Sequence, residues 1–426
     1  KALKLAMAST TSPSDSDLQR VPPPCSQAGG IAATPLAPVF HVNVPLHLPK
    51  MLTARGLRAG RPGELGIFAA WKPPRGPPGR PDPPAVDPGR RAMVEMRVSS
   101  AAGELSNKKR LVDFLGAHGQ SKWAPETVRS LEDLRHMCSL DQDDHALWFL
   151  KHARLDRNEG VTVHIGQEAC CEAWACLPED DRGEYIAQRE VPRVLLDVHG
   201  RKFTLRIYVL LIATPFAPCE SSGSIPCSGG CECNSSRSHL GAAWALARRE
   251  FVCRSHPHAY DPSDPDPGRH VHSTLGKFEG VSGSLGSEWA LRDQVWPTLC
   301  RMLADCLAPV LPSFAAGRVE SAADGACAGA RILELLGVDA LVDQDLRPWL
   351  VEVNQSPQLL PVRGNAEATA ARTAVVEDML AVALDPAMRS GCAGSESLQG
   401  SEMTGAWEEL ARWDGGDAAS CAWALG

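Results

Sequence analysis

The sequence has no long apolar segment and no strong excess of charge of either sign. No run of about 18 apolar residues is present, so a membrane-spanning helix is not expected. The formal net charge is −8 over 426 residues, whereas a dedicated nucleic-acid-binding domain is strongly basic. The N-terminal residues also lack the charged start, apolar middle and small-residue cleavage site of a signal peptide. We therefore expect neither membrane nor nucleic acid as a partner.

The fifteen cysteines lack the compact, even spacing of a disulfide framework, and an odd number cannot all pair. We interpret most of them as reduced thiols of a cytosolic protein. Four cysteines lie close together among Ser and Gly in residues 218–241: Cys219, Cys227, Cys231 and Cys233. Such a cluster could bind zinc, but it lacks two C-x2-C pairs, so the pattern favours an inserted surface loop.

Proline and glycine are abundant, at 34 and 37 residues, and they are unevenly distributed. Residues 1–100 are rich in Pro and Arg, and Pro opposes both helices and strand ladders. Residues 50–97 contain ten basic and four acidic residues, a net charge of +6. We predict a disordered arm over 1–100, acting either as a solvated linker or as a basic segment that binds an acidic partner. The Gly- and Ser-rich residues 389–426 are predicted to be a flexible tail.

Residues 101–388 have the pattern of one globular domain that mixes strands and helices. Strands are predicted at 147–151, 161–165, 203–212, 333–342 and 349–353, and helices at 130–135, 289–307 and 366–384. Residues 343–348 have hairpin length and turn chemistry. Because the elements follow no strict βαβ order, we predict an α+β fold.

Oxygen-bearing side chains lie on the last two predicted strands. Glu352 and Asn354 are two residues apart and therefore face the same side of a strand. Asp339 lies on the partner strand of the predicted hairpin and could complete the set. Magnesium prefers such hard oxygen ligands, together with phosphate and water. The pattern alone also fits an ordinary solvent-facing strand.

Two groups of cations indicate an anion site. Lys202 and Arg206 lie on one face of the strand at 203–212, and their mutual repulsion is relieved if a phosphate or carboxylate lies between them. An exposed strand face is the alternative. Lys151 ends an apolar strand and is followed by Arg157 and Gly160, a turn that could bring the lysine and the backbone close to a phosphate.

Residues 148–163, 185–211 and 332–357 together resemble the tubulin–tyrosine ligase-like family of ATP-grasp enzymes. The most specific matches are 202–210, 334–339 and 352–357. The resemblance implies an ATP-grasp fold in which the nucleotide lies between two α+β lobes. It implies an ATP- and Mg2+-dependent ligase that joins a free amino acid to a protein carboxylate through an acyl phosphate. Tubulin or microtubules are the implied protein substrate, by glutamylation, glycylation or tyrosination, in the cytoplasm, on the cytoskeleton or in cilia.

The resemblance also implies roles for single residues. The matched positions are Asp339, Glu352 and Asn354 as magnesium ligands, Lys151 at the ATP phosphates, Gln188 near the adenine, Lys202 and Arg206 at the transferred phosphate and the acceptor carboxylate, and Thr274 in a substrate-side motif. Arg206, Lys202 and Glu352 are the implied catalytic residues. Asp339 and Asn354 also contribute to ATP binding, and Arg157 is a second substrate-side candidate.

Several positions depart from the family pattern. They are His152 in place of Pro, Asn158-Glu159-Gly160 in place of a loop with two glycines, Thr204 in place of Asp and Leu275 in place of Asn. The departures leave the predicted metal cluster complete but change the loop that covers the phosphates. Two alternatives therefore stand beside a protein-modifying ligase. One is a non-catalytic ATP-grasp relative that binds microtubules or another acidic partner, and the other is a small-molecule carboxylate–amine ligase.

Overall fold

The strands follow the short apolar segments of the sequence and form two separate sheets. The computed structural model describes residues 39–42, 48–60, 66–70, 92–96, 99–138, 145–155, 159–214, 242–264, 266, 270, 276–281, 288–316, 331–355, 357, 359, 366–384, 406–414 and 422–423. The strands are β1 Val39–Val42, β2 Arg58–Ala59, β3 Gly66–Ala70, β4 Ala92–Met96, β5 Thr127–Val128, β6 Leu147–His152, β7 Val161–Ile165, β8 Tyr185–Arg189, β9 Phe203–Ala213, β10 Ala243–Arg248, β11 Val252–Ser255, β12 Gly276–Lys277, β13 Arg331–Val342, β14 Pro348–Gln355, β15 Trp407–Trp413 and β16 Ala422–Trp423.

Within the described residues, the larger sheet has twelve strands and is built around the antiparallel pair β9 and β13. Its order is β16-β15-β10-β9-β13-β4-β3-β1-β2, with β11 also on β9, β12 on β11 and β14 on β13. β13 and β14 form the hairpin that the sequence predicted. The smaller sheet has the order β5-β8-β6-β7.

Helices cover both faces of the larger sheet. The helices are α1 Leu48–Ala54, α2 Ser100–Ser106, α3 Lys108–Ala117, α4 Leu131–Cys138, α5 Gln167–Ala175, α6 Glu179–Arg182, α7 Glu288–Leu307 and α8 Ala366–Ala383. One core packs α7 against the face that contains Ile207 and Val338. A second core packs α1 and α8 against the opposite face, which contains Leu210 and Leu335. The alternation of β9 and β13 thus supplies both cores.

The helical run 290–316 is long and apolar enough, by length and composition, to cross a membrane, but 72% of its most apolar window is buried inside the protein. It includes α7, whose Leu299 and Leu303 belong to the core of the larger sheet. The central helix of a folded domain passes the same test of length and composition. In this fold the run is a core helix.

Parts of the segment predicted to be a disordered arm are folded. Within 1–100, the structure contains β1 to β4 and α1, and β4 pairs with β13 in parallel. The physical reason is that short apolar stretches alternate with the Pro-rich ones. Phe40, Leu52 and Val94 from these stretches are buried in the core beneath α8. The prediction extended the Pro-rich character over these four short strands, which pair with one another and, through β4, with the distant β13.

The predicted flexible tail, 389–426, also contains folded structure. β15 pairs with β10, and β16 pairs with β15. Trp407, Leu410 and Trp413 of β15 are buried, and their packing stabilises the strand in its position beside β10. The inserted segment 218–241 and its four cysteines lie outside the described residues.

Candidate active site

One face of β9, β13 and β14 collects the polar residues that the sequence singled out. Arg206 lies opposite Asp339 in the β9–β13 register, and Asp339 lies opposite Glu352 in the β13–β14 register. Asn354 lies opposite Gly337, two residues from Asp339. A bulge leaves Val351 as the extra residue between Leu350 and Glu352. Bulges re-aim neighbouring side chains, and this one precedes a predicted ligand.

Asp339 is the centre of the contacts on this face. The Arg206 guanidinium binds it through two hydrogen bonds, a close one from Nε to Oδ1 and one of 2.5 Å from Nη2 to Oδ2. Asn354 donates from Nδ2 to Oδ2 of Asp339 at 3.3 Å. Burial works against the charge of Arg206, but the Asp339 carboxylate outweighs it and the pKa of Arg206 is raised. The arrangement holds Arg206 flat against the strands.

Glu352 is a carboxylate that accepts no hydrogen bond and forms no ion pair with any other described residue. Burial raises its pKa, the positive charge of Lys108 opposes that rise and the charge of Asp339 adds to it. Glu352 lies opposite Asp339, and Asn354 lies nearby, so two carboxylates and an amide oxygen form a set of hard oxygen donors. The residues present therefore fit a divalent cation such as magnesium.

Gly337 leaves the space that Arg206 occupies. A Cβ at this position would lie 2.9 Å from Cβ of Pro357, 3.1 Å from Nη1 of Arg206 and 3.3 Å from Cδ of Arg206. These distances are shorter than ordinary van der Waals contacts. The glycine is therefore required for the close approach of the guanidinium to β13.

The smaller sheet presents Lys151 and Gln188 toward this region. The Lys151 ammonium donates to Oε1 of Gln188 at 2.7 Å, and Nε2 of Gln188 donates to Oγ1 of Thr127 at 3.0 Å. Burial lowers the pKa of Lys151 to about 8, while the charge of Glu352 partly opposes the shift. Lys151 of the smaller sheet thus interacts electrostatically with Glu352 of the larger sheet. The two sheets therefore bring their polar residues to the same cleft.

A cavity lies between the two sheets and α3. Its wall includes Lys151, Ile186 and Gln188 from the smaller sheet, Leu350 from β14 and Lys108 from α3. Apolar and cationic groups are thus combined in one concave site, which is the composition expected of a nucleotide pocket.

Lys202 lies beside this cleft but is directed to an acidic partner. Its ammonium forms a close ion pair with Oε1 of Glu190, and the hydroxyl of Tyr260 donates to Oε2 of Glu190 at 2.5 Å. Burial lowers the pKa of Lys202, and Glu190 opposes the shift. The structure therefore places Lys202 next to Lys151, whose pKa its charge also lowers.

Two cations of the site were not predicted from the sequence. Lys108, the first residue of α3, lines the cavity and acts electrostatically on Glu352. Arg254 lies on β11 opposite Thr204, and burial and the charge of Arg206 lower its pKa. β11 has four residues, too few for a clear alternating pattern. Within the described chain, no hydrogen bond or ion pair engages the Arg254 guanidinium.

The turn after Lys151 is described in part. Gly160 has φ of +67°, and its carbonyl accepts from the His152 backbone N–H at 2.9 Å. A Cβ at Gly160 would lie 2.8 Å from Cβ of His152, so the retained glycine is required there. Arg157, Thr274, Asn158 and Leu275 lie outside the described residues.

Comparison with known proteins gives a family match over more than half of the chain. The model of the tubulin-tyrosine ligase family matches residues 95–217 and 287–390. These ranges include β6 to β9, β13 and β14, and therefore every strand that contributes a predicted metal or ATP residue.

Curated relatives are similar at low identity. The probable tubulin polyglutamylase TTLL9 of Rattus norvegicus is 28% identical over 205 residues, which cover 46% of this chain and 38% of that protein. TTLL9 of Mus musculus gives the same values. Tubulin monoglycylase TTLL3 of Danio rerio is 25% identical over 273 residues, which cover 60% of this chain and 31% of that one. The chain thus spans little more than a third of the TTLL9 relatives.

A solved structure gives the same fold. The C-terminal domain of K. lactis Pby1, described as an ATP-grasp enzyme interacting with the mRNA decapping enzyme Dcp2, superposes with a TM-score of 0.50 at 15% identity. The match covers 87% of this chain and 98% of that domain. At this identity the likeness concerns the fold, and it confirms the predicted ATP-grasp architecture of mixed helices and sheets.

Proposed function

This chain belongs to the tubulin-tyrosine ligase family, and we propose that it is an ATP- and magnesium-dependent ligase that joins an amino acid to a protein carboxylate. The observation that carries the proposal is the joint position of Asp339, Glu352 and Asn354 on one sheet face. Glu352 in particular accepts no hydrogen bond and forms no ion pair within the described residues, and it lies next to the cavity that Lys151 and Gln188 line.

In this proposal ATP occupies the cavity between the two sheets. Gln188 lies near the adenine, and Lys151 exchanges its hydrogen bond to Gln188 for a phosphate oxygen. Ile186 and Leu350 supply the apolar walls that a base needs. Lys108, at the edge of the same cavity, adds a second cation for the phosphates.

Asp339, Glu352 and Asn354 would hold magnesium. Magnesium bound there would neutralise charge on the β- and γ-phosphates and so favour phosphoryl transfer. Arg206, which donates two hydrogen bonds to Asp339 in this structure, would donate to the transferred phosphate or to the acceptor carboxylate. Arg254, which already faces Arg206, adds positive charge at the same place.

The proposed reaction has two steps. An oxygen of the acceptor carboxylate attacks the γ-phosphorus of ATP, and ADP leaves with the bond that breaks. The amine of the incoming amino acid then attacks the acyl carbon, loses a proton and displaces inorganic phosphate. The arginines and lysines of the cleft stabilise the negative charge that moves during both steps.

Tubulin is the proposed acceptor, in the cytoplasm and on the cytoskeleton or in cilia. The similar proteins are a probable tubulin polyglutamylase and a tubulin monoglycylase, which makes glutamate and glycine the first amino acids to test and tyrosine the third. The basic residues of segment 50–97 are charge-complementary to an acidic protein acceptor. Arg157 and Thr274 are proposed substrate-side residues.

A non-catalytic nucleotide-binding relative is the second candidate. Both cations that were predicted at the transferred phosphate are already paired with carboxylates, Lys202 with Glu190 and Arg206 with Asp339. Glu159 also places an acid beside Gly160 in the loop after Lys151. In this candidate the protein binds microtubules or another acidic partner without turnover.

The test is a labelling assay with purified protein, Mg-ATP, tubulin and a panel of labelled amino acids. Incorporation is expected with one of them, and Glu352→Gln is expected to abolish it. The matched control is Glu409→Gln on β15, where burial also raises the pKa of the carboxyl, and it should keep full activity. Nucleotide binding without incorporation would favour the second candidate, and absence of magnesium-dependent ATP binding would reject the proposal.

A further inference from the structure

Lys202 is enclosed by three residues from different parts of the fold, which together with it we call the Lys202 cluster: Phe149, Glu190, Lys202 and Tyr260. The ammonium lies 4.5 Å from the ring centroid of Tyr260 and 5.4 Å from that of Phe149. It also pairs with Oε1 of Glu190, whose Oε2 accepts from the Tyr260 hydroxyl at 2.5 Å. Every charged atom of the cluster thus has a partner.

The Lys202 cluster is held firmly in place. Lys202 is only 3% exposed, and the Tyr260 backbone N–H donates to the Gly200 carbonyl at 2.8 Å. Buried His270 packs edge-on against both aromatic rings of the cluster. Ion pairs that are this deeply buried and fully hydrogen-bonded do not open without a competing charge.

The two lysines of the cleft obtain their partners from one short segment of chain. Gln188 binds Lys151 and Glu190 binds Lys202, and residues two apart in extended chain face the same side. The Phe149 ring lies between the two ammonium groups, 5.1 Å from Lys151 and 5.4 Å from Lys202. Segment 188–190 therefore sets the position of both cations.

The two partners differ in charge, and this difference has a consequence for nucleotide binding. Gln188 is neutral, so Lys151 gives up one ordinary hydrogen bond when a phosphate approaches. Glu190 is an anion, so Lys202 is neutralised, and the carboxylate itself repels a phosphate that approaches the same ammonium.

We propose that Glu190 is a positioning residue for the phosphates of ATP, a resident anion that occupies Lys202 until the nucleotide displaces it. The inference rests on the proposed function, because it takes Lys202 to be a phosphate contact. Because the phosphates must displace Glu190 from Lys202, ATP binds more weakly than the number of cations in the cleft would suggest. Adenosine, which has no phosphate, does not compete with Glu190.

The test compares ATP, ADP and adenosine, each with magnesium, by calorimetry on the wild type and on Glu190→Gln. Glutamine keeps one acceptor oxygen for Lys202, its amide N–H can donate to the Tyr260 hydroxyl oxygen after that hydroxyl turns, and the negative charge is removed. We expect the Kd for ATP to fall about tenfold, because Lys202 no longer has to break a charge-assisted hydrogen bond to Glu190 before it binds a phosphate. The Kd for adenosine should stay within experimental error. An equal change for both ligands, or weaker ATP binding, would overturn the proposal.

Two further variants separate this effect from a structural one. Glu190→Gln combined with Lys202→Met carries no charge in the cluster and should fold even if the single variant does not. It should bind ATP more weakly than the wild type, because it lacks the ammonium that the phosphates engage, and it should bind adenosine as well as the wild type does. ATP binding equal to that of the wild type would contradict the proposal. Glu104→Gln removes an exposed charge that pairs with Arg110 and should change neither Kd.

The same measurements distinguish a failure of the proposed function from a failure of the role proposed for Glu190. If the wild type binds neither ATP nor adenosine, the proposed function fails. If the wild type binds ATP but Glu190→Gln leaves the ratio of the ATP and adenosine affinities unchanged, the role of Glu190 alone is rejected.

Discussion

Gly337 determines how closely Arg206 can lie against β13. A Cβ there would lie 2.9 Å from Cβ of Pro357 and 3.1 Å from Nη1 of Arg206. The proline ring is rigid, so it cannot rotate away from the added atom. We predict that Gly337→Ala moves the guanidinium away from Asp339 and lowers the proposed ligase activity at least tenfold. Overpacking of this kind costs about 1–3 kcal/mol of stability, which thermal denaturation would measure.

Gly103 is the matched control for that substitution. It lies in α2, and the nearest atom to an added Cβ is Oε1 of Gln355 at 3.9 Å. Gly103→Ala should stabilise the helix by about 0.5–1 kcal/mol and leave activity unchanged. If both variants lost activity to the same extent, the contact between Gly337 and Arg206 would not be the cause.

Lys151 gives nucleotide binding a dependence on pH. Burial lowers its pKa to about 8 in the free protein, and a phosphate binds the protonated form. The ammonium is therefore present below pH 8 and is lost as the pH rises above it. We predict that the Kd for ATP is flat below pH 7.5 and rises by up to about tenfold per pH unit above 8, measured by calorimetry from pH 7 to 9.5.

Two substitutions check the assignment of this pH dependence. Lys151→Arg keeps its charge over the whole range and should flatten the profile. Lys109→Met removes an exposed lysine that binds the Gly183 carbonyl, and should leave the wild-type profile intact. A profile that remains pH-dependent in Lys151→Arg would assign the titration to another group.

At the residue scale, the sequence predicts which residues share a strand face better than it predicts their hydrogen-bond partners. Residues two apart on a strand, such as Glu352 and Asn354, must share a face, and the observed register agrees. Glu190 and Tyr260 were not predicted as partners of Lys202 because the three residues share no strand or helix and meet only through the fold. Arg254 was missed for the same reason, since its place beside Arg206 depends on the pairing of β9 with β11.

At the level of elements, the chain between β8 and β9 holds Lys202 at the edge of the cleft. Its centre is Asp197, which is fully buried and accepts from Nε of Arg201 at 2.8 Å, Oγ of Ser255 at 2.6 Å and the His199 backbone at 2.9 Å. Burial alone would raise the pKa of Asp197, but these hydrogen bonds lower it. The connection is therefore stabilised by an ionised carboxylate.

We predict that Asp197→Asn destabilises the protein by about 3 kcal/mol, because it removes one partner of a buried ion pair. The sign of the pH effect follows from the lowered pKa. The contribution of Asp197 is fully present above its unfolded pKa of about 3.9 and is lost as the pH falls through the lower folded value. Urea unfolding at pH 7 and at pH 3 should therefore show a smaller difference between variant and wild type at pH 3.

The exposed Asp261 supplies the control for this comparison. It accepts from the Ser263 backbone at 2.9 Å, and Asp261→Asn should leave unfolding unchanged at both pH values. A pH-independent deficit in Asp197→Asn would mean that the loss comes from packing rather than from the charge.

Elements with local signals were predicted well. The hairpin of β13 and β14 could be predicted because Asp343, Asp345 and Pro348 supply turn chemistry between two apolar strands. The bulge at Val351 could not, because it is a property of the cross-strand register. Ser130 caps α4 as expected, with the Asp133 N–H donating to its hydroxyl at 3.1 Å. Short strands such as β11 carry too few residues for a periodic signal.

At the level of the whole molecule, the central strands of the sheet carry the family's motifs, whereas the outer strands come from segments that were predicted to be unstructured. β4 contacts β13 more than 230 residues away in sequence, and β15 contacts β10. Neither pairing is encoded by local composition, in which Pro, Gly and Ser dominate. The sheet therefore includes strands on both sides that the hydrophobic periodicity of residues 101–388 does not predict.

Strand β15, near the end of the sequence, is expected to be necessary for the fold. Deletion of residues 406–426 exposes the edge of β10 and removes the buried side chains of Trp407, Leu410 and Trp413. Each such side chain contributes about 1.5–3 kcal/mol when buried, so the loss is comparable with the whole stability of about 5–15 kcal/mol of an ordinary domain. We predict that this deletion gives insoluble or unfolded protein, whereas deletion of 415–426 alone, which keeps β15, lowers the melting temperature by only a few degrees. Soluble yield and thermal denaturation of the two shortened chains measure the difference, and equal stability would show that the sheet ends at β10.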